Sequence, residues 1–217
     1  MIGLDSVTVV FGRTIALDDL TIEIGSGITG VFGPNTSGKS TLLRVLSGLL
    51  APSGGRVTID DHRLNLGDES FRRIVGYSGH EPGLYGRLSV LENLQLFAHL
   101  YGAPTDRAQG LLEQLGIADR AATPVSDLSA GLKRRASIAR ALLHDPKLLL
   151  LDEPYANLDD EAADLVSQAI QEWASPDRIG VIATHGAKRV KTFADASLIL
   201  IRGRPVSYRR RLADAVS

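Results

Sequence analysis

The chain has 217 residues, 44% of them hydrophobic and 5% aromatic, enough for one compact folded unit and too apolar for disorder. Lys and Arg number 24 against 25 Asp and Glu, so the net charge is −1 and the basic excess of a nucleic-acid binder is missing. With no cysteine, a disulfide scaffold, thiolate catalysis and cysteine zinc sites are excluded.

Along the chain, residues 7–11 and 20–24 are β-branched or apolar runs that read as short strands, punctuated by Gly25, Ser26 and Gly27. Residues 28–32 form a third run ending at Gly33. From Lys39 the period turns helical, with Leu42, Leu43, Val45, Leu46, Leu49 and Leu50 on one broad face. Residues 51–55 (APSGG) stop that helix, and 56–60 read as another strand. The stretch 89–143 reads as mostly helical, with loops at 102–105 and 122–126. Four leucines at 148–151, between Asp145-Pro146 and Asp152-Glu153-Pro154, form a buried strand. A helix over 161–173 and an apolar strand over 179–183 follow, and 197–201 with 205–208 suit a hairpin around Gly203. Strands separated by helices predict an α/β core with a mostly parallel sheet and a central helical insertion. The basic run Arg209, Arg210, Arg211 reads as a solvated end. Residues 1–11 lack a basic region followed by an apolar stretch, so no signal peptide is expected. The longest apolar run is far short of the ~20 residues needed to span a bilayer. The expectation is a soluble cytoplasmic protein.

The strongest local motif is Gly33-Pro34-Asn35-Thr36-Ser37-Gly38-Lys39-Ser40-Thr41, a match to G-x-x-x-x-G-K-[ST] placed after an apolar strand and at the start of a helix. Glycines let backbone N–H groups turn inward around phosphate oxygens, and the helix N-terminus adds a favourable dipole. Lys39 is placed to reach the β- and γ-phosphates, and the Ser40 hydroxyl to ligate Mg²⁺. The same loop serves kinases, GTPases and motor ATPases alike. Asp152 and Glu153, at the end of the leucine strand, narrow that choice: Asp152 is expected to hold the Mg²⁺ shell and Glu153 to orient and deprotonate the attacking water.

Leu128-Ser129-Ala130-Gly131-Leu132 precedes an amphipathic helix at 133–143, and a helix N-terminus with a serine hydroxyl suits an anion or a plain helix cap. Here the sequence resembles the ATP-binding subunits of ABC transporters, over about residues 7–204 and with seven motifs in order. The resemblance implies an α/β P-loop NTPase: a RecA-like core with an N-terminal antiparallel β subdomain and an inserted helical subdomain at about 82–143, in a single domain over 1–217. It implies that Ser129 and Gly131, matching the family's signature motif, complete the nucleotide pocket of the opposite subunit. Ala130 and Leu132 depart from the family's glycine and glutamine, which removes the glutamine's polar contacts. Ala156-Asn157-Leu158-Asp159 resembles the loop linking the two nucleotide sites, His185 the switch histidine that contacts the γ-phosphate, and Phe11 the aromatic that stacks on adenine. Each also has a plainer reading, as a helix-capping turn, a structural strand-end histidine and a core aromatic. His80 stands where the family's glutamine usually stands; an imidazole supplies one acceptor and one donor, and Glu81 is the alternative substitute.

The segment 79–85 (GHEPGLY), with Leu91-Glu92-Asn93-Leu94, further resembles the haem-exporter ATPases of cytochrome c maturation. The resemblance implies ATP and Mg²⁺ as ligands, and a head-to-tail homodimer closed by two ATP molecules. It also implies separate integral-membrane permease subunits, a peripheral location on the cytoplasmic face of the inner membrane, and haem involved only indirectly. Leu84, Tyr85 and Leu88 are candidates for the permease-facing surface, or ordinary core residues. An exporter of drugs, lipids or ions is the alternative. A small-molecule kinase explains only the phosphate loop and leaves Ser129, Glu153 and His185 without purpose. A relative acting on DNA or ribosomes generally needs long coiled coils, tandem halves or a basic surface.

Overall fold

The computed structural model of the protein describes residues 1–60, 62–64 and 68–210; Arg211 of the basic run lies outside them. In chain order the elements are β1 (Ile2–Phe11), β2 (Thr14–Ile24), β3 (Gly27–Phe32), α1 (Lys39–Leu46), β4 (Gly54–Ile59), β5 (His62–Arg63), α2 (Glu69–Ile74), β6 (Val75–Ser78), α3 (Val90–Tyr101), α4 (Arg107–Gln114), α5 (Ala130–Leu142), β7 (Leu148–Asp152), α6 (Asp160–Trp173), β8 (Ile179–Ala183), α7 (Ala187–Val190), β9 (Ala196–Ile201) and β10 (Arg204–Arg210). Two sheets result. One is antiparallel in the order β2-β1-β4-β5; the other runs β10-β9-β3-β8-β7-β6 and is parallel except for the β9–β10 hairpin.

The leucine strand shows why a parallel strand reads as a continuous apolar run. All five residues of β7 are buried. Leu148 and Leu150 join the core between the two sheets, with α1 filling it, whereas Leu149 and Leu151 join the core beneath the helices. Each side chain removed from water contributes about 2 kcal/mol, so covering both faces needs no polar alternation.

β1 and β2 extend further than their sequence suggests. Ser6 and Asp19 take left-handed backbone angles, φ 49° and 52°, and the β1–β2 register shifts between Leu4 and Val7 and again before Val9. These bulges break the period of two, so only the regular ends look like strands. The helical face predicted from Lys39 also ends early. α1 stops at Leu46, Gly48 turns the chain at φ 73°, and Leu49 is left 67% exposed. Within 89–143, the chain between α4 and α5 is mostly irregular with two single-turn 3-10 segments, not continuous helix. β6 carries Gly76 where an added Cβ would overlap the Ala141 carbonyl, so α5 lies directly on the sheet.

Candidate functional site

The parallel register decides which residues meet. Val31 of β3 pairs with Ala183 of β8, and Ala183 pairs with Asp152 of β7. The phosphate loop, Thr184-His185 and Asp152-Glu153 therefore all leave the same carboxyl edge of the sheet, where the polar ends of parallel strands form a crevice.

The loop is braced from its neighbours. Gly38 caps α1 at φ 101°, and a Cβ there would overlap the Ala16 carbonyl of β2, so only glycine fits. Gly203, in the β9–β10 turn, donates its N–H to the Ser37 carbonyl at 3.0 Å and accepts from Asp18 N–H. Lys39 is buried, and its ammonium donates to the carbonyls of Gly33 (2.8 Å) and Pro34 (3.0 Å). Two of its three donors thus hold the loop and one is left for a phosphate oxygen. Pro34, Asn35, Thr36 and Ser40 are exposed, Gly33 and Thr41 half-buried and Ser37 buried. Phe11 is 49% exposed at the tip of the β1–β2 hairpin, whose second strand carries the Ala16 carbonyl that touches the loop.

Asp152 is buried, and its Oδ1 has no hydrogen-bond partner. A buried carboxylate oxygen without a donor is costly unless a ligand completes it. Together with the exposed Ser40 hydroxyl, this donor set fits Mg²⁺, a hard cation held by one carboxylate, a hydroxyl and phosphate oxygens. Among the described residues no group of three or more His, Cys, Asp or Glu is placed to hold a metal ion by itself.

Glu153 sits at φ 49° and is anchored through its backbone N–H to the Ala183 carbonyl. Its carboxylate accepts from the Thr184 hydroxyl and from the His185 N–H, both at 2.8 Å, and His185 Nδ1 lies 2.9 Å from the same Oε1. The rest of the His185 ring is open, with 69% of the side chain exposed. His80 is exposed after β6, and its backbone carbonyl accepts from Arg134. Ser129 is the exposed N-cap of α5, where its hydroxyl accepts from Leu132 N–H at 3.3 Å. A Cβ on Gly131 would meet the Asn157 carbonyl at 2.5 Å, so the start of α5 rests on the turn after Glu153. Asp159 caps α6, accepting from Ala162 N–H at 2.8 Å.

Phosphate loop, Asp152, Glu153 and His185 are thus brought to one edge. Among the described residues no hydrogen bond joins Ser129, Gly131 or Asp159 to the phosphate loop. The apolar trio separates as well: Leu84 packs against the helical core, Leu88 is half-buried, and Tyr85 is 56% exposed. The buried amide of Asn93 orders that segment by bonding Tyr85, Leu88 and Ser89. Sequence reasoning missed Arg134. It is buried behind the site, with its pKa lowered by burial against the opposing pull of the Asp152 and Glu153 carboxylates. Its only sequence signal was the basic triplet Lys133-Arg134-Arg135 on a helix otherwise facing the core.

The ABC transporter family model matches residues 17–156. The chain is 35% identical to the ABC transporter ATP-binding protein NatA of Bacillus subtilis over 198 residues, covering 89% of this chain and 80% of that protein. It is 41% identical to the cytochrome c biogenesis ATP-binding export protein CcmA of Xanthomonas campestris over 170 residues, covering 78% of each. Among solved structures, the dimeric bacterial ABC transporter cassette MJ0796 superposes with a TM-score of 0.89 at 27% identity, covering 97% of this chain and 99% of that one. Fold, motif order and these likenesses agree: the chain belongs to the ABC transporter family, as an ATP-binding domain of the ATP-hydrolysing cassette type.

Proposed function

We propose that this chain is the ATP-hydrolysing subunit of an ABC transporter, working as a head-to-tail homodimer against integral-membrane permease subunits on the cytoplasmic face of the membrane. The observation that carries this reading is the shared edge at which Lys39, the unpartnered Asp152 oxygen and the pinned Glu153 converge. In this reading the start of α5, with Ser129 and Gly131, closes the nucleotide site of a second copy, and two-fold symmetry closes both sites at once.

The chemistry follows from donors and acceptors. The turned loop N–H groups and Lys39 hold the phosphates of ATP, and Phe11 offers an exposed face for adenine. Ser40 and Asp152 would hold Mg²⁺, which when bound supplies charge neutralisation at the phosphates. Glu153, its carboxylate fixed by Thr184 and His185, accepts a proton from water as the water oxygen bonds to the γ-phosphorus. The bond from that phosphorus to the bridging oxygen breaks, its electron pair goes to ADP, and phosphate leaves. With Nδ1–H toward Glu153, His185 donates to a phosphate oxygen from Nε2 only when the ring carries both protons. Loss of the γ-phosphate removes contacts bridging the two copies and loosens the dimer. No helix among the described residues is long and apolar enough to cross a membrane; in this reading separate permease subunits supply the passage.

The transport system we propose serves haem handling in cytochrome c maturation, with haem contacted by the permease and not by this chain. Support comes from the 41% identity to the CcmA protein and from the Gly79-His80 segment. Deleting the gene and quantifying covalently bound c-type haem in membranes tests it. Loss of c-type haem, restored by the wild type and not by Lys39→Ala, is the expected result; normal c-type haem ends the cytochrome reading. The likeness to NatA over a longer stretch favours the second reading, the ATPase of another exporter.

A further inference from the structure

We propose that Arg134 is a positioning residue that couples the two half-sites carried by one chain, tying the signature end of α5 to His80 and Asp152. This rests on the dimer reading above, in which Ser129 and Gly131 face the partner's nucleotide while His80 and Asp152 face the chain's own.

Arg134 lies one turn into α5 and is 6% exposed. Its Nη1 donates to the Gly79 carbonyl at 2.6 Å and makes a longer 3.4 Å contact with the Asp152 carbonyl; its Nη2 donates to the His80 carbonyl at 3.1 Å. One planar fork thus spans the carboxyl ends of β6 and β7. No ion pair neutralises it among the described residues, so the guanidinium is held by backbone carbonyls alone. Its neighbours on the helix fasten to other residues, some of them on either side of Gly79 and His80. Arg135 binds the carbonyls of Leu115 and Gly116, Ser137 binds Pro82 and Ser78, and Arg140 binds Gly83 and Tyr77. Gly131 seats the same helix end on the Asn157 carbonyl. A shift of α5 as it closes on the partner's phosphates therefore reaches His80 and the metal-ligand strand through the Arg134 fork. An ammonium or an amide cannot reproduce that geometry, because neither offers parallel donors in one rigid plane.

The test uses the purified full-length chain, with steady-state ATPase rates measured against MgATP concentration and nucleotide affinity measured separately with trinitrophenyl-ATP. Arg134→Gln and Arg134→Lys are expected to lower kcat at least tenfold and to bring the Hill coefficient from above 1 down to 1. Nucleotide affinity should stay within twofold of wild type. Arg135→Gln, on the same helix but bonded to the Leu115 and Gly116 carbonyls away from the site, should keep kcat and cooperativity. Should Arg134→Gln fail to fold, the lysine variant, which keeps the charge, carries the comparison. A lysine variant with wild-type kcat and cooperativity overturns the proposal, as does a loss of kcat matched by an equal loss of nucleotide affinity or by the fraction of chain left unfolded. An active, ATP-dimerising wild type with a Hill coefficient of 1 overturns it too, whereas a wild type with neither ATPase activity nor an ATP-dependent dimer sinks the function reading itself.

Discussion

The Thr184 hydroxyl donates to Glu153 Oε2 at 2.8 Å, while the N–H of His185 takes the other carboxylate oxygen. Both donors sit just past the end of β8, whose Ala183 pairs with Asp152. The Glu153 carboxylate, the proposed base, is therefore oriented by donors that follow the neighbouring strand. Glu153→Gln should keep MgATP binding, trap the ATP-bound dimer on a sizing column and lower turnover by roughly 10²–10⁴-fold. Turnover at the wild-type rate would remove Glu153 from the role of base.

Thr184→Val keeps the shape of the strand end and deletes the hydroxyl. The expected effect is a fall in kcat of at least about tenfold, in line with the roughly 1.5–3 kcal/mol of a hydrogen bond to a charged group, with little change in KM. A rise in KM at constant kcat would mean that Thr184 serves binding instead of orientation.

Lys39 gives two of its donors to the loop's own carbonyls, so its loss would loosen the cradle together with the proposed phosphate contact. Lys39→Ala should weaken MgATP binding at least tenfold in a calorimetric titration. Retained affinity would place the nucleotide elsewhere.

Asp152 presents a buried carboxylate oxygen with no donor. Asp152→Asn should abolish Mg²⁺-dependent hydrolysis yet leave the nucleotide-free chain as stable as wild type or more so, by about 1 kcal/mol. Chelating the metal with EDTA should silence the wild type in the same way. Thermal melts with and without Mg²⁺ and ATP separate the two effects, and a large destabilisation of the nucleotide-free variant would contradict this account.

Burial lowers the pKa of His144 from 6.5 to about 4, aided by the charges of Arg107 and Arg140 and opposed by the Val75 carbonyl bond and Asp145. The ring stacks on Tyr101 at 4.2 Å and its Nε2 lies 3.0 Å from the Val75 carbonyl. Because the folded value is the lower one, the unfolded chain binds the proton first. The contribution is full above about pH 6.5 and is lost as pH falls toward 4, with a ceiling of about 3 kcal/mol. His144→Phe keeps the stacking and removes the titration, so urea unfolding at pH 7.5 and 5 should show a flatter pH dependence than wild type. Equal slopes for the two proteins would contradict the assignment.

Much of this was readable in the sequence because the signals are local. Gly33 to Thr41, the four leucines before Asp152 and the strand before Thr184 each specify their own backbone state within a few residues: glycine where only glycine fits, continuous leucine where both faces are covered, a polar pair where a parallel strand ends. The bulges at Ser6 and Asp19 hid half of β1 and β2, since one extra residue reverses the alternation on which a strand is recognised. The short β6 was missed for a related reason: its Gly76 is there for the approach of α5, a contact 65 residues away in the chain.

The sequence alone determined the fold class, the order of the motifs and the chemical types available at each. Tertiary structure decided what those residues touch. It buried Asp152 with its Oδ1 unpartnered, gave Glu153 the Thr184 hydroxyl, and laid Arg134 across the ends of two strands. Those relations depend on strand register and on where a helix rests on a sheet. Neither is encoded near the residues concerned; both emerge only when the two cores are packed.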